Sequence, residues 1–144
     1  MKITFALLPV AISAAQAAVN PSRDISDFIV FNFSAACNRS GTCSWSFNLV
    51  EIPGTDVLEC KGTAEAGPGN TFPTTSHIIS CSDTNVKFVF QHLADINAYR
   101  LVIDDVHTVG HTIGGSTLLD PKDFSTVDGA EVYTGDKSFA IEAF

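Results

Sequence analysis

The feature that most constrains the fold of this chain is an alternation of large apolar and smaller or polar residues in several short stretches. A period of two places alternate side chains on opposite faces of a β-strand, whereas a helical pattern repeats every 3.6 residues. Each stretch therefore predicts a strand with one face on a core and the other toward solvent. The inward positions are Trp45, Phe47 and Leu49; Val86, Phe88 and Phe90; Tyr99, Leu101 and Ile103; and Phe139 and Ile141.

Less regular stretches predict further strands, and turn-forming residues separate them. These strands are Asp27–Ser34, Val57–Ala66, His77–Ser80, His107–Ile113 and Glu131–Tyr133. Turns are predicted at Asn38–Gly41, Pro53–Gly54, Gly67–Asn70, Gly114–Gly115 and Asp128–Gly129, and a single helical turn at Pro121–Phe124. Strands spaced about 8–15 residues apart, with such turns between them, are typical of sandwiches and barrels. The sequence thus predicts an all-β fold, a compact antiparallel β-barrel or β-sandwich.

The beginning of the chain has the pattern of a secretory signal peptide. Lys2 precedes an apolar run from Ile3 to Ile12, and Ala15-Gln16-Ala17 matches a small-residue cleavage site. The run is shorter than the roughly 20 apolar residues that cross a bilayer. We expect residues 1–17 to be removed and residues 18–144 to form one secreted, extracellular domain.

Charge narrows the classes of partner. The chain has 16 acidic and 8 basic side chains and a formal net charge of −8. Such a chain repels phosphate backbones and anionic lipid surfaces, so we expect neither nucleic acid nor membrane as a partner. The excess of acidic groups favours solubility and is compatible with a partner that carries basic groups.

Four cysteines behind a signal peptide predict a disulfide framework that staples the domain. Three pairings are formally open. Cys37 ends one predicted strand and Cys43 begins the next, so a hairpin would bring them together. Cys60 lies within a strand and Cys81 ends another, and their bond would close the flexible Gly67–Asn70 segment. We therefore favour Cys37–Cys43 and Cys60–Cys81.

Two other groups of residues invite predictions about the surface. Asn38 and Asn32 each begin an Asn-x-Ser acceptor pattern and are candidate N-glycosylation sites, Asn38 in a predicted loop and Asn32 in a predicted strand. Most aromatic residues fall on core positions, but Phe28 beside Asp27 and Phe72 beside Pro73 are expected to be exposed.

The chain offers no recognisable catalytic or metal motif, and we predict neither catalytic residues, metal ligands nor cofactors. His107 and His111 have a zinc-like spacing, but four residues along a strand span about 13 Å, too far for one ion. Ser116 lacks the surroundings of a nucleophile elbow. Asp104 and Asp105 point to opposite faces of a strand and cannot act as one carboxylate pair.

Several short segments resemble the small secreted fungal proteins of the Alternaria major-allergen type. The opening Ile25-Ser26-Asp27-Phe28, the segments around Cys60 and Cys81, and the pair Cys37 and Cys43 before Trp45 are similar to that family, as is the tail from Gly115 to Phe139. The resemblance implies an antiparallel β fold, secretion, and an allergen-like or effector-like role without a catalytic centre. The chain has no cysteine near the mature N-terminus, where an inter-chain bond could form, and no cysteine pair near the C-terminus. The resemblance therefore does not extend to a disulfide-linked dimer, and the oligomeric state stays open.

Together these features predict a non-enzymatic, effector-like or elicitor-like binding protein that acts outside the cell on a host extracellular protein. Function would then lie on loops, first of all Asn38–Thr42, Gly67–Thr75 and Val109–Ser116. The alternatives are a carrier of small apolar ligands, which would bind in a barrel mouth or between the sheets, and a small secreted hydrolase, which would need a clustered His and carboxylate in a cleft.

Overall fold

The computed structural model describes residues 25–108 and 111–144, so the predicted signal peptide lies outside it. In this part of the chain ten β-strands and two short 3₁₀ turns, Ala94–Ile96 and Pro121–Asp123, follow one another. The strands are β1 (Asp27–Cys37), β2 (Thr42–Ile52), β3 (Val57–Glu65), β4 (Ile79–Ser80), β5 (Val86–Leu93), β6 (Ala98–Thr108), β7 (His111–Leu119), β8 (Phe124–Val127), β9 (Ala130–Tyr133) and β10 (Phe139–Glu142).

The strands form two antiparallel sheets, which we call sheet I and sheet II. Sheet I has the order β3-β2-β1-β9-β8. On the side of β1 that faces away from β2, β9 pairs with the end of β1 and β10 pairs with its beginning. Sheet II has the order β4-β5-β6-β7. Isolated bridges join the sheets at Cys60 with Cys81 and at Gly115 with Ala143. The predicted all-β class is confirmed as a sandwich-like fold, and the sheets do not close into a continuous barrel.

The core lies between the two sheets and consists largely of aromatic rings. The inward positions predicted from the alternation are buried, apart from a half-buried Phe139. Rings from opposite sheets meet directly: the centroids of Trp45 and Phe90 are 5.4 Å apart, and those of Phe47 and Phe88 are 5.0 Å apart. Such edge and tilted contacts add to the stabilisation that burial of the rings provides.

A β-bulge in β1 keeps its inner face continuous. The pairing of β1 with β2 shifts between Phe31 and Ser34, and Asn32 has a positive φ of 55°. Phe28 and Val30 point inward before the bulge, and Phe33 takes the inward position after it. The extra residue therefore moves the alternation by one position without turning the apolar side chains outward.

Three sequence predictions about local structure are wrong. Gly114 and Gly115 lie inside β7 and not in a turn, and neither position has room for a side chain. A Cβ on Gly114 would lie 2.5 Å from a side-chain oxygen of Asp104, and one on Gly115 would lie 2.8 Å from the carbonyl oxygen of Glu142. The predicted strand His107–Ile113 is instead divided between β6 and β7, whose residues Thr108 and His111 pair across the hairpin.

The third error concerns two aromatic residues expected at the surface. Phe28 and Phe72 are both buried, with 0% and 1% of their surface exposed. Phe28 occupies an inward position of β1, and Phe72 packs against Trp45, Phe90 and Phe124. A neighbouring Asp or Pro was a weaker signal than the need of a large ring to be buried.

Disulfides join Cys37 to Cys43 and Cys60 to Cys81. Cys37 and Cys43 are direct cross-strand partners at the neck of the β1–β2 hairpin. The Cys60–Cys81 bond ties β3 of sheet I to the segment that follows β4 of sheet II. One bond thus fixes a local turn, and the other fixes the position of one sheet against the other.

Removing the two disulfides should have unequal effects. The Cys60–Cys81 bond closes the longer loop, with a sequence separation of 21 against 6. In the chain-entropy model, Cys60→Ala with Cys81→Ala should lower the free energy of unfolding by about 3 kcal/mol, and Cys37→Ala with Cys43→Ala by about 2 kcal/mol. Urea denaturation of both double variants measures the difference. A larger loss from the short loop would contradict this account.

Candidate functional site

The three loops predicted to carry function have different surroundings. Asn38–Thr42 is a tight turn in which the side-chain oxygen of Asn38 accepts hydrogen bonds from the backbone N–H groups of Ser40, at 2.9 Å, and Thr42, at 3.1 Å. The Asn38 side chain is thus part of the turn, whereas Asn32 lies exposed on the bulge of β1. In the third loop, residues 109 and 110 lie outside the described residues, and Gly114 and Gly115 are buried in β7.

The Gly67–Thr75 loop borders an open groove of about 400 Å³. Pro73 and Thr75 line the groove from the loop, and His77 lines it from the segment before β4. The Nε2 atom of His77 lies 2.9 Å from the carbonyl oxygen of Thr63 on β3, which holds the ring against sheet I. The groove is shallow and solvated, a shape suited to a peptide or a protein loop more than to an enclosed small molecule.

A group of ionisable side chains lies at one end of the sandwich, around His107. The Nε2 atom of His107 is 2.6 Å from a carboxylate oxygen of Asp83, and its Nδ1 atom contacts Asp105. The backbone N–H of His107 donates a hydrogen bond of 3.0 Å to the same oxygen of Asp105. Asp83 comes from the turn before β5, so the ring connects that turn to the end of β6.

These two contacts restrict the protonation state of the cluster. A neutral imidazole carries one N–H, and an ionised carboxylate can only accept hydrogen bonds. Both contacts are therefore satisfied together only when His107 carries two ring protons or when one of the two carboxyl groups is protonated. Because carboxyl groups occupy both ring nitrogens, His107 is arranged as a connector and not as a base that faces a substrate.

Asp105 links this cluster to the other sheet. Its side chain is almost fully buried and interacts with Glu51, which lies on β2 of sheet I. Burial by itself raises the pKa of Asp105, but hydrogen bonds from Glu51 and His107 and the charge of His107 outweigh burial and lower the pKa below its ordinary value. We call Glu51, Asp83, Asp105 and His107 the histidine cluster.

A second polar contact joins the sheets at the opposite end of the core. The hydroxyl of Tyr99 on β6 donates a hydrogen bond to Glu131 on β9, whose other carboxylate oxygen accepts a 3.0 Å bond from the backbone N–H of Phe72. The ring of Tyr99 lies between His92 and Phe124, stacked on both. Burial and the charge and hydrogen bond of Glu131 raise the pKa of Tyr99 above its ordinary value.

Of the residues considered for catalysis or metal binding, the structure brings His107 and Asp105 into contact, and Ser116 lies elsewhere. His77 lies at the groove, His92 stacks on Tyr99, and His107 belongs to the histidine cluster. Asp104 faces away from the core, and Ser116 is exposed on β7. Within residues 25–108 and 111–144 there is no group of three or more His, Cys, Asp or Glu side chains arranged to hold a metal ion. No helix in the same ranges is both long and apolar enough to span a membrane.

Sequence reasoning missed the histidine cluster, although one signal pointed to it. The inward positions of β6 are Tyr99, Leu101 and Ile103, and the same alternation places Asp105 inward as well. A carboxylate in a core requires a partner. Glu51, which interacts with Asp105, and Asp83, which contacts His107, come from distant parts of the chain, and no local pattern indicates them. No protein-family model and no curated protein matches this chain.

The lowered pKa of Asp105 predicts a loss of stability in acid. A group whose pKa is depressed by folding stabilises the native state above its unfolded pKa, near 3.9, and this contribution is lost as the pH falls through the folded pKa. Unfolding free energies measured from pH 5 to pH 2 should therefore fall less steeply in Asp105→Asn than in the natural chain. Asp104→Asn removes the same charge one residue away, and an equal change of slope in both variants would contradict the prediction.

The tyrosines give an independent prediction at high pH. Burial, together with the charges of Asp123 and Asp136, raises the pKa of Tyr133 to about 12, and that of Tyr99 is raised as well. The native protein should therefore show almost no tyrosinate absorbance near pH 10, where unfolded tyrosine ionises. Stability should fall as the pH rises above 10, because only the unfolded chain then loses the protons. A normal spectrophotometric titration of the folded protein would refute this account.

Proposed function

We propose that this protein is a secreted, non-enzymatic binding protein of the effector or elicitor type, related to the Alternaria major-allergen family, and that it acts outside the cell on a host defence protein. Two disulfides within an all-β sandwich are typical of extracellular proteins. The observation that carries the proposal is the filled interior: twelve large side chains, led by Trp45, are less than 2% exposed. A partner would then bind to the outer surface of the sandwich.

The two alternatives have less support. A carrier of apolar ligands would need space between the sheets, where rings such as Trp45, Phe72 and Phe90 already contact one another. Ligand binding there would require displacing them from a close-packed core. A hydrolase would need a base directed toward substrate, whereas both ring nitrogens of His107 contact carboxyl groups of the protein itself.

Infiltration of the purified mature protein into plant leaf, paired with capture of partners from apoplastic fluid, tests the proposal. We expect a local defence response, or its suppression, and a specific extracellular partner. Mature protein that has been reduced, alkylated and heat-denatured is the control, since a response that survives unfolding would come from a linear peptide and not from a folded surface. If the native protein produces neither a response nor a partner, the proposal is wrong.

The carrier alternative has its own measurement. Titration of the native protein with an apolar fluorescent dye or a flavonoid should give a flat signal if the interior is closed. Stoichiometric, saturable binding that survives charge reversal on the outer surface would favour the carrier and contradict the proposal.

A further inference from the structure

The outer face of sheet I carries an apolar surface where a half-exposed sheet usually presents polar residues. Four of its residues form one cross-strand row, because Ala140 pairs with Ile29, Ile29 with Val50, and Val50 with Val57. Phe31 and Ile52 extend this row on either side. We call these six residues the sheet I patch.

The patch does not belong to the core. The residues that alternate with it along the strands, among them Phe28, Val30 and Leu49, face inward and are fully buried. Val57 has 57% of its surface exposed, Ala140 is exposed, and the other four are half-buried by their neighbours in the sheet. A contiguous apolar surface of this kind, with polar residues around it, is characteristic of a protein interaction site.

The rim of the patch indicates the charge of the partner. Asp27 and Glu142 are direct cross-strand partners on the same outward face, next to the row of Ile29 and Ala140. Like charges placed opposite each other in a sheet are unfavourable. At the opposite side of the patch, Glu59 is balanced by Lys61 at 3.5 Å. Within residues 25–108 and 111–144, no ion pair balances Asp27 or Glu142, so a cation at this end of the patch would relieve the repulsion.

We propose that the sheet I patch binds a segment of a partner protein that presents apolar side chains followed by Lys or Arg. The apolar side chains would cover the row from Ile29 to Val57, and the basic residue would lie against Asp27 and Glu142. The chain's net charge of −8 would attract such a partner over a distance. The inference rests on the proposed function and names the surface and the chemistry through which it would act.

A titration with a defined peptide tests the surface directly. The ¹⁵N-labelled mature protein is titrated with a peptide of alternating leucine and lysine at low salt. We expect amide shifts confined to β1, β2, β3 and β10, and weaker binding as salt screens the charges. Shifts confined to sheet II, or none at millimolar peptide, would overturn the proposal.

Matched variants separate recognition from folding. Val50→Lys places a charge in the centre of the patch and should weaken binding about tenfold or more. Val102→Lys is the control, because Val102 is half-buried on the outer face of sheet II and also lies in a central strand. Glu142→Gln should weaken binding while leaving stability equal or higher, since it also removes the repulsion with Asp27. Equal losses of binding in Val50→Lys and Val102→Lys would contradict the assignment.

Photocrosslinking in apoplastic fluid tests the natural partner. A benzoylphenylalanine residue replaces Val57 in one variant and Leu118 in the other, which are 57% and 56% exposed on opposite sheets. We expect a crosslink to a basic partner segment from position 57 and not from position 118. A crosslink from position 57 to residues 18–24, which contain Arg23, or to a second copy would overturn the proposal by showing a different occupant.

The outcomes also separate this inference from the proposed function. If the native protein captures a partner but position 57 does not crosslink to it, the partner uses another surface and only the inference fails. If the peptide binds the patch but leaf and apoplastic fluid give neither response nor partner, the patch stands as a binding surface and the proposed function fails.

Discussion

The packing of aromatic rings between two sheets is the interaction on which the rest of this molecule depends. Trp45 and Phe47 from β2 meet Phe90 and Phe88 from β5, and these contacts hold together two sheets whose backbones pair with each other at isolated bridges and not along a strand. Burial of these four rings together contributes more stabilisation than either disulfide, since a fully buried apolar side chain contributes about 1.5–3 kcal/mol by itself. Because the rings fill the interior, ionisable groups are confined to its two ends, and contacts with other molecules are left to the outer faces.

The polar contacts at the ends of the core add specificity to this packing. Both involve β6: Tyr99 reaches Glu131 at one end, and Asp105 interacts with Glu51 at the other. A shift of one sheet against the other by a pair of residues would leave apolar rings in contact, but it would separate these carboxyl groups from their partners. A buried carboxyl group without a partner is costly. The two contacts therefore select one alignment of the sheets from several that the apolar core alone would accept.

Much of this architecture follows from local pattern, and the errors have a common physical origin. Alternation around Trp45, Phe88 and Leu101 predicts strands and their inward faces, because burial of one face is decided within each strand. Gly114–Gly115 resembles a turn in sequence, yet Gly115 is required by the close approach of β10, which lies about 25 residues further along the chain, and Gly114 by the side chain of Asp104 on β6. The histidine cluster and the sheet I patch are missed for the same reason, since each depends on which strands become neighbours.

The pairing of β1 with β10 brings the last strand of the chain beside the first strand that the structure describes. The backbone N–H of Ala143 donates a 3.0 Å hydrogen bond to the carbonyl oxygen of Ser26, beside the row formed by Asp27 and Glu142. An affinity tag or a fluorescent protein attached after Phe144 therefore begins at this border of sheet I. A tag there lies beside the proposed binding surface and can obstruct the partner in a binding assay. A tag inserted in the Asp128–Gly129 hairpin lies away from that surface and leaves it accessible.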